Sequence, residues 1–206
     1  MVSTRYAVAV LAAVGAAAVL AIPAAAQNKM QVDDVSHHPF ATDFPSGGQL
    51  NLYIRSAEIH IVGSDENKVT VRIGGGEGTE STDIHARFER SGNSGDLDVS
   101  GGPHNDVSIT VKVPRNSNLV VRIPAGDVEV EGITGDKDIR LRAGDLRISV
   151  GDPADYARVE ASVTSGDISA RPFGEFHGGL FRSFEKTGNG KYKLVARLWA
   201  GDLTLK

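Results

Sequence analysis

The sequence predicts an all-β protein, a single-chain β-solenoid or β-helix of short strands and tight turns, preceded by a signal peptide. Three observations carry this. Aliphatic and β-branched residues alternate with polar ones through most of the chain, which is the period of a half-buried strand. No window after the N-terminal segment has a sustained helical period. Glycine is abundant at 24 residues while aromatics make up only 6%, a balance that suits many turns and few bulky anchors.

The first element is the N-terminus. Met1 to Arg5 carries one positive charge, Tyr6 to Ile22 is uncharged and rich in alanine and valine, and Pro23 leads to Ala24-Ala25-Ala26. This order is that of a secretory signal peptide cleaved between Ala26 and Gln27. The apolar run is shorter and more alanine-rich than a spanning helix requires. The expected localisation is therefore export, to a bacterial periplasm, cell surface or extracellular medium. Cysteine is absent, which excludes disulfides, a lipid-modified cysteine and thiolate metal sites. The formal charge is −4, and the first 26 residues contribute only Arg5 to it. No basic stripe is present for nucleic acid.

Residues 27–47 read as a polar linker. Its His37-His38 pair would point to opposite sides of a strand and makes a poor metal site. Residues 48–206 read as the domain. Leu50, Leu52 and Ile54 alternate, then Ile59 and Ile61, then Val69, Val71 and Ile73. GGGEGTESTD reads as a long loop that lacks the Lys-Ser/Thr ending of a phosphate loop. DIHARFER reads as a strand with Ile84, Ala86 and Phe88 on one side. Alternation resumes at Val107 to Val113, Leu119 to Ile123 and Val128 to Val130. It continues through Ile139, Leu141, Leu146 and Ile148 to Val150.

A motif recurs along this domain. AGDVEVEG at Ala125, AGDLRISV at Ala143, SGDISARP at Ser165 and AGDLTLK at Ala200 share small-Gly-Asp-aliphatic-variable-aliphatic. SAEIHIVG at Ser56 and SGDLDVSG at Ser94 line up with them, and TGDKDIRL at Thr134 is a looser copy with its aliphatics displaced. Gly126 and Gly144 are 18 residues apart, Gly144 and Gly166 are 22, and Gly166 and Gly201 are 35, about two intervals. A period near 20 is the mark of a solenoid. Stacked corners would then place Gly126, Gly144 and Gly166 in one column. Glycine supplies the unusual φ of a corner, and aspartate fixes the turn through its own backbone.

The run ITVKVPRNSNLVVRIPAGDVEVEGITGDKDIRLRAGDLRISV, with VEASVTSGDISA and KYKLVARLWAGDLTLK, resembles the bacterial "putative adhesin" family of uncharacterised domains. The resemblance spans roughly His38 to Lys206. It implies an adhesin-like β-solenoid and carries no catalytic residues with it. On this basis the expected function is an exported, non-enzymatic structural or binding module of the cell envelope, with no cofactor. Its expected partner is an envelope protein or glycan.

Two alternatives stay open. Calcium-binding β-rolls also space Gly and Asp at nine residues, and here the ligands would be Asp127, Asp145 and Asp167. The full Gly-Gly-x-Gly-x-Asp order is missing, however, and calcium needs six to eight oxygens. A β-helical enzyme acting on envelope polysaccharide would need convergent acids. Glu129, Glu131, Asp138 and Glu160 instead alternate with aliphatics, as do Arg122, Arg140, Arg142 and Arg147. No Gly-x-Ser-x-Gly elbow occurs, and the six histidines are scattered. Finally, Phe173, Phe176, Phe181, Phe184, Tyr192 and Trp199 gather near the C-terminus. They are expected to cap the terminal coil and, if the protein binds a partner through aromatics, to form that surface.

Overall fold

The computed structural model describes residues 27–35, 37–75, 83–102 and 107–206. The proposed signal peptide and most of the GGGEGTESTD loop lie outside these residues. In chain order the strands are β1 (Gln27–Val32), β2 (Phe40–Asp43), β3 (Gln49–Ile54), β4 (Glu58–Ser64), β5 (Lys68–Gly75) and β6 (Ile84–Ser91). There follow β7 (Ser94–Gly101), β8 (Val107–Pro114), β9 (Asn118–Ala125), β10 (Val128–Glu131), β11 (Lys137–Ala143) and β12 (Leu146–Ile148). The last six are β13 (Tyr156–Ser165), β14 (Ile168–Ala170), β15 (Glu175–His177), β16 (Leu180–Thr187), β17 (Tyr192–Ala200) and β18 (Leu203–Leu205). The chain is all-β, and short 3-10 turns at Pro153–Asp155 and Arg171–Phe173 interrupt it.

The strands form two large mixed sheets, neither closed on itself. The first runs β1-β6-β7-β3-β9-β11-β17-β13-β16 and the second β15-β14-β18-β12-β10-β4-β8-β5-β2. In each, a parallel centre is bordered by antiparallel strands. The two centres share one order. β7, β3, β9, β11, β17 and β13 stand in the same sequence as their chain successors β8, β4, β10, β12, β18 and β14. Each such pair is one rung, with one strand in each sheet.

Alternation dictates the core. In the first sheet Leu52, Val121, Ile139, Ala196 and Ala161 form one inward row across neighbouring strands. In the second, Ile61, Val130, Ile148, Leu205 and Ala170 do the same. All ten are buried. A one-residue slip would turn each row to solvent, so the pattern pins the register.

Four departures from the sequence reading follow from packing. The segment read as a linker supplies β1 and β2, and its Val35, Phe40 and Phe44 are buried. Phe40 and Phe44 lie 6.1 and 6.2 Å from the Phe88 ring, so three aromatics close that end of the core. Gly95 of SGDLDVSG is no corner: it sits inside β7, where a Cβ would meet the Phe44 and Phe88 rings at 2.8–2.9 Å. The rungs do not stack in chain order either. β17–β18, last in the chain, inserts between β11–β12 and β13–β14. Gly201 therefore separates Gly144 from Gly166, rather than following both. Lastly, only part of the aromatic C-terminal segment lies at an edge. β16 borders the first sheet and β15 the second, while β17 is interior.

Candidate functional site: the outer face of the first sheet

Two features of the fold bear on function: the corner column and the outer face of the first sheet. At the corners, Gly126, Gly144, Gly201 and Gly166 have φ of +125°, +118°, +126° and +134°. A Cβ at Gly144 would lie 2.2 Å from the Gly126 carbonyl oxygen, and one at Gly201 would lie 2.0 Å from that of Gly144. Glycine is required here for both its φ and the close approach. The aspartates beside them link rungs rather than fixing their own turns. Asp145 N–H donates to the Asp127 carboxylate (3.1 Å), Asp202 N–H to Asp145 (3.2 Å) and Asp167 N–H to Asp202 (3.1 Å). Gly179 N–H donates to Asp167 (3.2 Å). The opposite corner has a shorter ladder, in which Asp136 N–H donates to Asn118 and Lys193 N–H to Asp136. The looser repeat TGDKDIRL thus builds the second corner. Asp127, Asp145 and Asp167 each spend a carboxylate oxygen on a backbone N–H. Among the described residues no group of three or more His, Asp or Glu is placed to hold a metal ion.

The acids weighed for catalysis fall on two different faces. Glu129 and Glu131, on the outer face of the second sheet, both accept from Lys206 Nζ, at 2.7 and 3.1 Å. That hydrogen bond holds the Glu129 carboxyl below the usual carboxylate range, the opposite of what a general acid needs. Asp138 and Glu160 lie on the outer face of the first sheet. Asp138 engages Arg122 at 3.1 Å and Arg140 at 3.5 Å. Glu160 engages Arg158 at 2.6 Å and Arg197 at 3.6 Å.

The parallel register produces a pattern on that face that no single repeat reveals. Tyr53, Arg122, Arg140, Arg197 and Ser162 form one outward row on β3, β9, β11, β17 and β13. Three arginines therefore stand side by side on neighbouring strands, about 4.8 Å apart at the backbone. Like charges opposed across strands are destabilising, and packing does not require them here. One step towards the Gly-Asp corner stand Pro124, Arg142, Trp199 and Thr164. The Arg142 guanidinium lies 5.3 Å from the Trp199 ring centroid and makes no ion pair among the described residues. Trp199 is 55% exposed. Together the residues of the two rows other than Tyr53 line a shallow groove of about 520 Å³, within the size range of small-ligand sites.

The aromatics expected to form a surface are split. Phe173 is buried, packs edge-on against Tyr156 at 6.2 Å and lies 6.4 Å from Phe184. Phe184 and Tyr192 are partly buried against the core. Phe176 is 70% exposed beside the second sheet, paired with Ser169. Phe181, 80% exposed, is the lone described non-glycine residue with positive φ, at +54°. Trp199 belongs to the groove of the first sheet. Of the proposed cleavage residues, Gln27 opens β1 and Ala26 is outside the described residues.

Sequence reasoning missed two things: the arginine row, which needs the strand order, and Lys137. Lys137 lies in the inward row Leu50, Leu119, Lys137, Leu194, Val159 and is only 2% exposed. Its Nζ donates to Tyr156 Oη at 2.8 Å and to the Gly135 carbonyl at 3.2 Å. The signal was the displaced aliphatic of TGDKDIRL, in which a lysine occupies a core position.

No family model matches the chain, and no curated protein matches it significantly. Among solved structures it is similar to a "putative cell adhesion protein" from Clostridium sporogenes, at 14% identity and a TM-score of 0.50. The match covers 82% of this chain and 98% of that one, and at this identity it is a likeness of fold.

Proposed function

We propose that this chain is an exported, non-enzymatic β-solenoid that acts as a binding module of the bacterial cell envelope and belongs with adhesin-like domains. In this reading each rung is one solenoid coil, and the strand order is permuted by return of the C-terminus. The 18-residue register between β9–β10 and β11–β12 supports the coil, as does the shared corner column. The observation that carries the binding role is the groove of the first sheet, where exposed Trp199 stands beside a row of arginines. The solved structure of similar fold is named for cell adhesion, in keeping with that role. The acids a β-helical enzyme would use are held in ion pairs on opposite faces, which favours binding over turnover.

The test is fractionation of producing cells, followed by co-sedimentation of the purified protein with isolated envelopes. Expected is an exported protein retained by envelopes, with retention reduced by Trp199→Ala and unchanged by Arg147→Gln on the other sheet. A cytosolic protein, or retention indifferent to Trp199→Ala, would overturn the reading. So would turnover of a polysaccharide that stops on changing Glu160.

A further inference from the structure

The groove also indicates what kind of ligand it takes. Four guanidiniums line it, those of Arg122, Arg140, Arg142 and Arg197, against the two carboxylates paired with the row, Asp138 and Glu160. The local excess is two positive charges in a chain whose formal charge is −4. The ligand that complements it is anionic. Its anionic groups must also repeat, because the arginines repeat once per strand along one row. Each arginine of the row has a carboxylate as its ion-pair partner, Arg122 donating also to the Val121 and Asp138 carbonyls, and a guanidinium fork matches a carboxylate in plane. Asp138 shows the fit: Arg122 donates to both of its oxygens, at 3.2 and 3.1 Å. Arg140 and Arg197 hold theirs loosely, at 3.5 and 3.6 Å, and Arg142 holds none. Those three have donors to spare. Trp199, fixed against Arg142 on one side, offers the groove an aromatic surface of the kind that stacks on the C–H face of a pyranose ring.

We infer that this groove binds an acidic polysaccharide, a chain of uronic-acid sugars laid across β9, β11 and β17. Arg140 and Arg197 take successive sugar carboxylates, Arg142 flanks the chain one step nearer the corner, and Trp199 stacks on a ring. A polyuronate carries one carboxylate per sugar, at a repeat close to the spacing of strands. Nucleic acid fits less well: an excess of two charges around one groove is small beside the basic footprint that phosphate chains require. This assignment rests on the binding-module reading and narrows it to a ligand class.

The probe is polygalacturonate, with dextran of similar length as the neutral chain and a single-stranded oligothymidylate as the phosphate chain. Binding of the purified full chain is measured by calorimetry at low and moderate salt. Expected is binding to polygalacturonate that weakens with salt, with none to dextran. Arg140→Gln/Arg197→Gln should lower affinity about tenfold or more, and Trp199→Ala should lower it severalfold at an unchanged salt slope. Arg147→Gln should change nothing. Because the groove residues are solvent-facing, no variant should melt below the parent, which is checked first. Absence of polygalacturonate binding at low salt would overturn the assignment. So would equal affinity for dextran or for the oligonucleotide, or indifference to the double arginine change in a folded variant. Envelope retention without polyuronate binding would sink this ligand class alone. Polyuronate binding without envelope retention would sink the envelope reading alone.

Discussion

Lys137 occupies a place where every neighbour in its row is aliphatic, and burial acts on its charge. Desolvation pushes its pKa down to about 8 from 10.5, and the charges of Asp136 and Asp155 offset only part of that. The unfolded chain keeps this proton up to about 10.5, whereas the folded chain releases it near 8. Stability therefore rises with pH across that window, and it is lowest below 8, where both states are protonated and the folded one holds a buried charge. The difference is about 3 kcal/mol. Tyr156 works in the other direction: burial pushes its hydroxyl up to about 12, so stability falls again as the unfolded chain ionises above 10. Urea midpoints are expected to climb from pH 8 towards 10 and then decline. Lys137→Met should flatten the climb and raise stability at neutral pH by about 2 kcal/mol. A flat wild-type profile would refute this account. The corner glycines give a second prediction at this scale. Gly201→Ala forces φ +126° on a side chain and sets its Cβ 2.0 Å from a carbonyl oxygen, which should cost about 3 kcal/mol or more. Gly151 also has positive φ, +73°, but nothing lies within 4 Å of its Cβ position. Gly151→Ala should cost about 1 kcal/mol, and the contrast in urea midpoint separates an open left-handed turn from a corner closed by both its φ and its close approach.

The aspartate column is an element built from several strands' ends, and its chemistry distinguishes hydrogen bonding from metal binding. Each link is a backbone N–H on a carboxylate oxygen, a role that an asparagine side-chain oxygen can also fill. The stack brings like charges together, which costs stability. Asp145→Asn should therefore hold or slightly raise the melting temperature, even though it gives up the exposed pair with Arg147, which is worth little. Asp145→Ala strips the Asp202 N–H of its acceptor and should cost about 1 kcal/mol. A calcium column behaves in the opposite way: chelator would lower the midpoint, and asparagine would weaken the site. Melting curves of both variants with and without chelator decide it, and chelator is expected to do nothing. At this scale the sequence was largely readable. Ile139 and Leu141, or Leu203 and Leu205, announce strands by period two, and Gly126 and Gly144 announce a shared corner by their spacing. The direction of the aspartate bonds was not readable, because a local turn and a ladder to the next rung call for the same residue in the same place. The strands of Gln27 to Pro45 were hidden for another reason: short polar edge strands bury only scattered residues such as Phe40 and Phe44, too few to show a period.

At the scale of the molecule, the order of rungs was illegible for a physical reason. The repeats present nearly the same inward rows, so AGDLTLK could stack on AGDLRISV or on SGDISARP with similar local fit. What places β17–β18 between them is the route of the chain. From β13–β14 the chain runs outward to β15 and β16, which border the second and first sheets, and then returns to fill the gap. The arginine row exists only in that order, since Arg197 reaches Arg140 only when β17 pairs with β11. The inserted rung has a consequence for cooperativity. In a solenoid stacked in chain order, loss of the last coil leaves the others in contact. Here, removing Lys191 to Lys206 separates β13–β14 from β11–β12 and bares both sides of the gap. The buried residues Leu194, Ala196, Leu198, Leu203 and Leu205 all go with it. A chain ending at Gly190 should therefore lose cooperative unfolding altogether, rather than melt a few degrees lower. In the full chain, the amides of β17 should exchange as slowly as those of β9, although β17 lies near the C-terminus, where fraying is the usual expectation. Hydrogen exchange on the full chain and a thermal melt of the truncated one test the same claim independently. A sharp transition in the truncated chain, or fast exchange in β17, would show that the last rung is an added layer rather than the one that closes the stack.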